Sequence, residues 1–171
     1  MEGPARGPPV LVLGSGTSWR ESIAAQELLE KEWGVAANVW SCPSFNELAR
    51  DGQSAERWNL LHPTEQPRAS FVSEQLEAYA GPVVASTDYM KAYAEQIRSY
   101  IPKGRTYKVL GTDGFGRSDF RSKRREHFQI NPQYIVVAAP QASSAEATVP
   151  VPKGPRAIQH DGRHHSRTTP L

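Results

Sequence analysis

Short blocks of consecutive apolar residues alternate along this chain with stretches of helical periodicity. Val10-Leu11-Val12-Leu13 is a continuous apolar run stopped by Gly14-Ser15-Gly16, the pattern of a strand buried on both faces of a parallel sheet. A helix is predicted next: Ser18 and Glu21 make an S-x-x-E capping box, Ala24, Ala25, Leu28 and Leu29 recur at helical spacing, and Gly34 ends the segment. Ala37 to Ser41 reads as a second strand. A second capping box, Ser44 with Glu47, starts a helix expected to stop near Gly52, with Ser54 capping another that carries Trp58, Leu60 and Leu61.

After the break at His62-Pro63, a helix is expected from about Ser70 to Ala80, closed by Gly81-Pro82. Val83-Val84-Ala85 is another buried strand, and Thr87 or Asp88 can cap a helix in which Met90, Tyr93, Ala94, Ile97 and Ile101 are spaced helically, as core or interface packing. Tyr107 to Leu110 forms a strand running into a glycine-rich loop. Ser118 or Asp119 can cap a short basic helix reaching His127, and Asn131-Pro132 pairs an N-cap with a proline at the first helical position. The stretch that follows, Tyr134 to Ala139, is β-branched enough to pass for a strand, so capping and propensity disagree. Alternation of this kind predicts an α/β fold in three layers, α/β/α, around a mostly parallel sheet.

From Pro140 onward apolar periodicity is lost and Pro, Ala, Ser, Thr, Arg and His dominate. Pro140 removes a backbone donor and should end the last helix early. The expected organisation is therefore a linker-like start over 1–9, a folded domain over 10–139 and a disordered low-complexity tail over 140–171.

Composition narrows the chemistry. The formal charge of +2 is carried by the tail, where Lys153, Arg156, Arg163 and Arg167 outnumber Glu146 and Asp161. A neutral body argues against nucleic acid as a partner, because phosphate binding needs a basic face. Arg117, Arg121, Lys123, Arg124 and Arg125 make a local basic run, with Asp113, Asp119 and Glu126 among them, that reads as a solvated helix face, the alternative being an anion or partner-docking surface. Cys42 is the single cysteine, so an internal disulfide is excluded and a cytoplasmic setting is expected. It reads as a small buried thiol, since neither Pro43 nor Ser44 supplies the base that a nucleophile needs. No apolar run approaches the roughly eighteen residues of a membrane span.

Generic motifs fail one by one. Gly14 and Gly16 match two glycines of a dinucleotide fingerprint, but Trp19 stands at the third position and the second strand ends without an acidic residue for a ribose. Ser15 lies in Gly14-Ser15-Gly16 and makes no nucleophile elbow. His160, His164 and His165 have the spacing of metal ligands, yet Gly162 sits within the run and no second shell is predictable.

One string stands apart: Val109-Leu110-Gly111-Thr112-Asp113-Gly114-Phe115-Gly116-Arg117-Ser118-Asp119. It is read together with Ser44-Phe45-Asn46-Glu47-Leu48-Ala49-Arg50-Asp51-Gly52-Gln53, the continuation Glu56-Arg57-Trp58-Asn59 to Leu61-His62-Pro63, and Ala85-Ser86-Thr87-Asp88-Tyr89-Met90-Lys91. In that company it resembles the C-terminal domain of homodimeric-type pyruvate dehydrogenase, the decarboxylating component of the pyruvate dehydrogenase complex. The resemblance covers about Val10 to Ala139.

The resemblance implies a fold like the C-terminal domain of transketolase. It also implies a family whose full-length members decarboxylate pyruvate on thiamine diphosphate and Mg²⁺ and pass the two-carbon unit to a lipoyl group of the acyltransferase component. The domains that carry the cofactor precede this one in the family and have no counterpart in this sequence. The expectation is thus a fragment or domain with a structural and assembly role, packing against the N-terminal and middle domains and the second subunit of a homodimer. No catalytic, cofactor-binding or metal residue is expected in it. Gly111, Asp113, Gly114, Gly116 and Arg117 are the candidate interdomain or subunit contact loop, with Asp113 and Arg117 as polar anchors. The alternative is an autonomous interaction module, or one that binds an anion at the Gly14 to Thr17 turn and the helix N-terminus behind it.

Overall fold

The computed structural model describes residues 8–114 and 118–145. Four strands, β1 (Val10–Gly14), β2 (Ala37–Ser41), β3 (Val83–Ser86) and β4 (Tyr107–Leu110), form one sheet in the order β2-β1-β3-β4. All pairings are parallel, with Val12 beside Val39 and Val84, and Val84 beside Lys108. The helices are α1 (Ser18–Trp33), α2 (Phe45–Leu61), α3 (Phe71–Glu77), α4 (Lys91–Glu95), α5 (Arg121–His127) and α6 (Pro132–Ala145), with a 3₁₀ turn at Arg98–Tyr100.

Strand alternation divides the core into two layers. Leu11, Leu13, Val83 and Ala85 pack with Phe45, Ala49, Leu76 and Ile97 on one face. Val10, Val12 and Val84 pack with Ala25, Leu29, Ile135 and Ala139 on the other. The central strands β1 and β3 are therefore covered on both sides, which is why they read as unbroken apolar runs. The three-layer α/β/α architecture is as expected.

Capping follows the sequence at some helices and departs from it at others. Ser44 Oγ accepts from the Glu47 amide at 3.2 Å, Ser70 Oγ from the Ser73 amide at 3.2 Å, and Asn131 Oδ1 from the Tyr134 amide at 3.1 Å. The Ser18–Glu21 box does not form: the N-cap is Thr17, without a side-chain cap, and buried Ser18 donates to the carbonyls of Ser15 at 2.6 Å and Ser86 at 3.1 Å. The hydroxyl is used to sew α1 to the ends of two strands. Thr87 and Asp88 do not cap α4 either, and Phe120 at the head of α5 makes no side-chain cap.

Two expected helix ends are absent. Gly52 lies inside the unbroken α2, where its missing side chain admits the ring of Tyr100: a Cβ there would sit 2.4 Å from two ring carbons. Ser54 is accordingly mid-helix. At the other end, α6 continues through position 140 to Ala145. A proline in a helix forfeits one hydrogen bond, but Ala139 and Ala142 are fully buried on either side of it, so packing holds the helix together. Positions 140–145 of the tail expected over 140–171 are thus helical, and the rest of it, including His160, His164 and His165, lies outside the described residues, as do residues 1–7 of the linker-like start expected over 1–9.

Candidate functional site

From β1 the chain passes to β2 on one side, while β3 lies on the other. The loops that leave the carboxyl ends of β1 and β3 therefore diverge, which is where open α/β sheets form their functional crevice. Three loops and one helix meet there: residues 15–17 after β1, 87–90 after β3, 111–114 after β4, and α5.

A chain of polar contacts joins them. Thr17 Oγ1 donates to a carboxylate oxygen of Asp88, and Thr112 Oγ1 donates to the Asp88 carbonyl at 2.9 Å. The Thr112 amide donates to the Tyr89 carbonyl at 2.9 Å. Asp113 accepts the Lys91 amide at 3.0 Å through one carboxylate oxygen and faces the Lys91 ammonium at 3.2 Å with the other. The cap of α4 thus comes from 22 residues down the chain. From α5, Arg125 pairs with Glu21 and donates to Thr17 Oγ1 at 3.0 Å. Arg125 and Glu21 are only 15% and 18% exposed, against 43% and 49% for Lys91 and Asp113. The Arg125 pair is consequently the stronger tie, since exposed pairs are screened and contribute about 0–1 kcal/mol.

Of the candidate contact loop, Gly111 is buried and so close to its neighbours that a Cβ would stand 2.8 Å from the Tyr89 carbonyl oxygen. Asp113 is an anchor, as expected, and Gly114 takes φ +88°, a conformation suited to glycine. Gly116 and Arg117 lie outside the described residues. Glu21, Asp88 and Arg125 were not singled out as site residues by sequence, and Thr17 only as the end of the alternative anion-binding turn. Their partners lie 71 and 104 positions away, and no local pattern announces such pairs.

The proposed anion position at the head of α1 is already taken. Asp88 reaches Thr17 there, and a Cβ on Gly16 would lie 3.9 Å from its carboxylate. An external anion would meet that carboxylate's charge. Exposed apolar side chains flank the network: Tyr89 is 65% exposed, Met90 53%, Tyr93 37% and Phe120 83%. Met90 and these aromatics are therefore not core. Trp33 and Trp40 are half-buried against the two core layers, and Trp58 stacks on His62 beneath the Arg68 guanidinium.

Cys42 lies in the core, 7% exposed, and burial pushes its thiol up to about 11 from 9.0. A buried thiol that stays protonated at neutral pH is a poor nucleophile. At pH 8 its alkylation is expected to run on the order of 100-fold slower in the folded chain than in urea, because two pKa units remove that much thiolate; equal rates would show an open site. Stability follows the same shift. Below pH 9 both states keep the proton, and above it the unfolded chain ionises first, so the fold weakens as pH rises from about 9 to about 11.

The chain belongs to the transketolase-like TK C-terminal domain family, whose model matches residues 2–131. Solved structures agree in fold: a split-gene transketolase described as an inactive beta4 tetramer has a TM-score of 0.51 at 19% identity, over 83% of this chain and 40% of that one. The Campylobacter jejuni transketolase has a TM-score of 0.50 at 20% identity, over 81% of this chain and 18% of that one.

Sequence relatives are more specific and bear out the resemblance to pyruvate dehydrogenase. The chain is 50% identical over 164 residues to the pyruvate dehydrogenase E1 component of Cupriavidus necator, covering 96% of this chain and 18% of that protein. It is 53% identical over 130 residues to the E1 component of Escherichia coli K12, covering 76% of this chain and 14% of the relative. It thus spans less than a fifth of the length of these relatives.

Proposed function

We propose that this chain works as the C-terminal domain of a pyruvate dehydrogenase E1 component, with a structural and subunit-assembly role and no turnover of its own. The observation that carries this reading is the identity to E1 components along 96% of the chain. The remaining domains of that enzyme, its second subunit and, in the complex, the acyltransferase component are the proposed partners.

Thiamine diphosphate and Mg²⁺ would supply the carbanion-stabilising chemistry in the whole enzyme. The described residues do not fit that group. No three His, Cys, Asp or Glu side chains among them converge to hold a metal, and Glu21, Asp88 and Asp113 at the crevice are engaged by Arg125, Thr17 and Lys91. What these residues do is hold three loops and a helix in register. We place the interdomain contact at this edge, on the loop of Gly111, Asp113, Gly114, Gly116 and Arg117 and its apolar neighbours Tyr89, Met90, Tyr93 and Phe120, because large exposed apolar groups rimmed by charge mark docking surfaces. Among the described residues no helix is long and apolar enough to cross a membrane.

A chimera tests the reading: residues 2–131 replace the matching segment of the Escherichia coli E1 component. Dimeric enzyme that decarboxylates pyruvate is expected. A chimera with a folded graft that neither assembles nor turns over would sink the proposal.

A further inference from the structure

Helix α5 has little reason to exist by itself. It has seven residues, Arg-Ser-Lys-Arg-Arg-Glu-His, and none of them is buried. A helix that short does not repay its nucleation in water. Arg121 and Lys123 place cations near its N-terminal end, where the macrodipole is unfavourable to them, and Arg124 and Arg125 add like charge beside them. Its end is costly as well: Gln129 adopts φ +59°, so that the Ile130 amide can bond the Arg125 carbonyl at 3.0 Å, a left-handed conformation that a residue with a Cβ disfavours.

Against these costs stands Arg125, the side chain of which is 15% exposed. It pairs with Glu21 and donates to the Thr17 carbonyl at 3.4 Å and hydroxyl at 3.0 Å. Thr17 in turn holds Asp88. A guanidinium offers its donors in a fixed fork, so it can serve a carboxylate and a neighbouring oxygen at once.

We infer that Arg125 is an ionic latch: it decides whether α5 is helical and seated on α1, and its release unwinds α5 while the sheet stays folded. The core packing of β1 to β4 with α1 and α6 does not include any side chain of α5, so the two events are separable. Anions that compete for the guanidinium are the condition that opens it.

Hydrogen exchange on the 171-residue chain tests the latch, comparing the native sequence with R125Q and, independently, E21Q. Both variants are expected to exchange the amides of residues 121–130 at least about tenfold faster, with the amides of β1 and β3 unchanged. That ratio corresponds to a loss of about 1.4 kcal/mol locally. Unchanged α5 exchange in both variants would overturn the inference, because α5 would then be held by something else. Equal acceleration in the strands would overturn it too, since the pair would then support the whole domain. If R125Q does not fold, E21Q decides the matter.

Discussion

Gly52→Ala is expected to destabilise the chain by about 2 kcal/mol, with overpacking of about 1–3 kcal/mol exceeding the gain of up to about 1 kcal/mol that alanine brings to a helix interior. The position is helical, so helix propensity alone favours the substitution. Space opposes it: the added Cβ would sit 2.4 Å from two carbons of the Tyr100 ring and 2.6 Å from a third. That ring cannot simply swing away. Tyr100 is 8% exposed, its hydroxyl donates to Glu56 at 3.2 Å, and its carbonyl accepts from Ser73 Oγ at 2.8 Å. Urea unfolding should show a lower midpoint at unchanged slope, and Tyr100→Ala should be less harmful in the Gly52→Ala background than alone. A neutral or stabilising Gly52→Ala would mean that α2 and the 3₁₀ turn do not meet this closely.

Ile135→Ala carries the larger expected cost, about 3 kcal/mol within the 2–5 kcal/mol typical of a fully buried isoleucine. Ile135 is 0% exposed and lies in the layer with Val12, Leu29, Val84 and Ala139. Removing three carbons there leaves a cavity in the layer shared by β1, β3, α1 and α6. Ile135→Val should cost about 1 kcal/mol. Against a typical domain stability of about 5–15 kcal/mol, the alanine variant should show a clearly lowered melting temperature. A loss below about 1 kcal/mol would show that α6 does not seal the core, and the account of its passage through position 140 would fall with it.

Much of this fold was legible because it is local. The apolar runs Val10 to Leu13 and Val83 to Ala85 became β1 and β3, because only central strands covered on both faces can be apolar at every position. Ser44 and Asn131 cap the helices they precede, as a hydroxyl or amide within three residues of an unpaired N–H should. The resemblance to pyruvate dehydrogenase was legible for another reason: three strings in fixed order amount to a long coincidence, and the identity along 96% of the chain agrees with it.

Local signals failed where a distant group competed for the same atom or the same space. Ser18 had the sequence of a cap, yet the Ser15 and Ser86 carbonyls claimed its hydroxyl. Gly52 had the sequence of a helix end, yet Tyr100 needed the room. Asp113 was singled out as an anchor, but that it caps α4 could not be read from a loop 22 residues away.

By itself, then, the sequence determined the four strands and most of the helices in their order, the buried faces of the central strands and the family, since each depends on side chains within a few residues or on the string as a whole. Tertiary structure alone decided how the strands are ordered, that Ser18 is drawn away from its cap and Asp113 caps α4, why α6 survives its proline, and that Thr17, Glu21, Asp88 and Arg125 meet at one edge. Those outcomes rest on contacts between residues tens of positions apart, and their energies exist only once the chain has closed on itself.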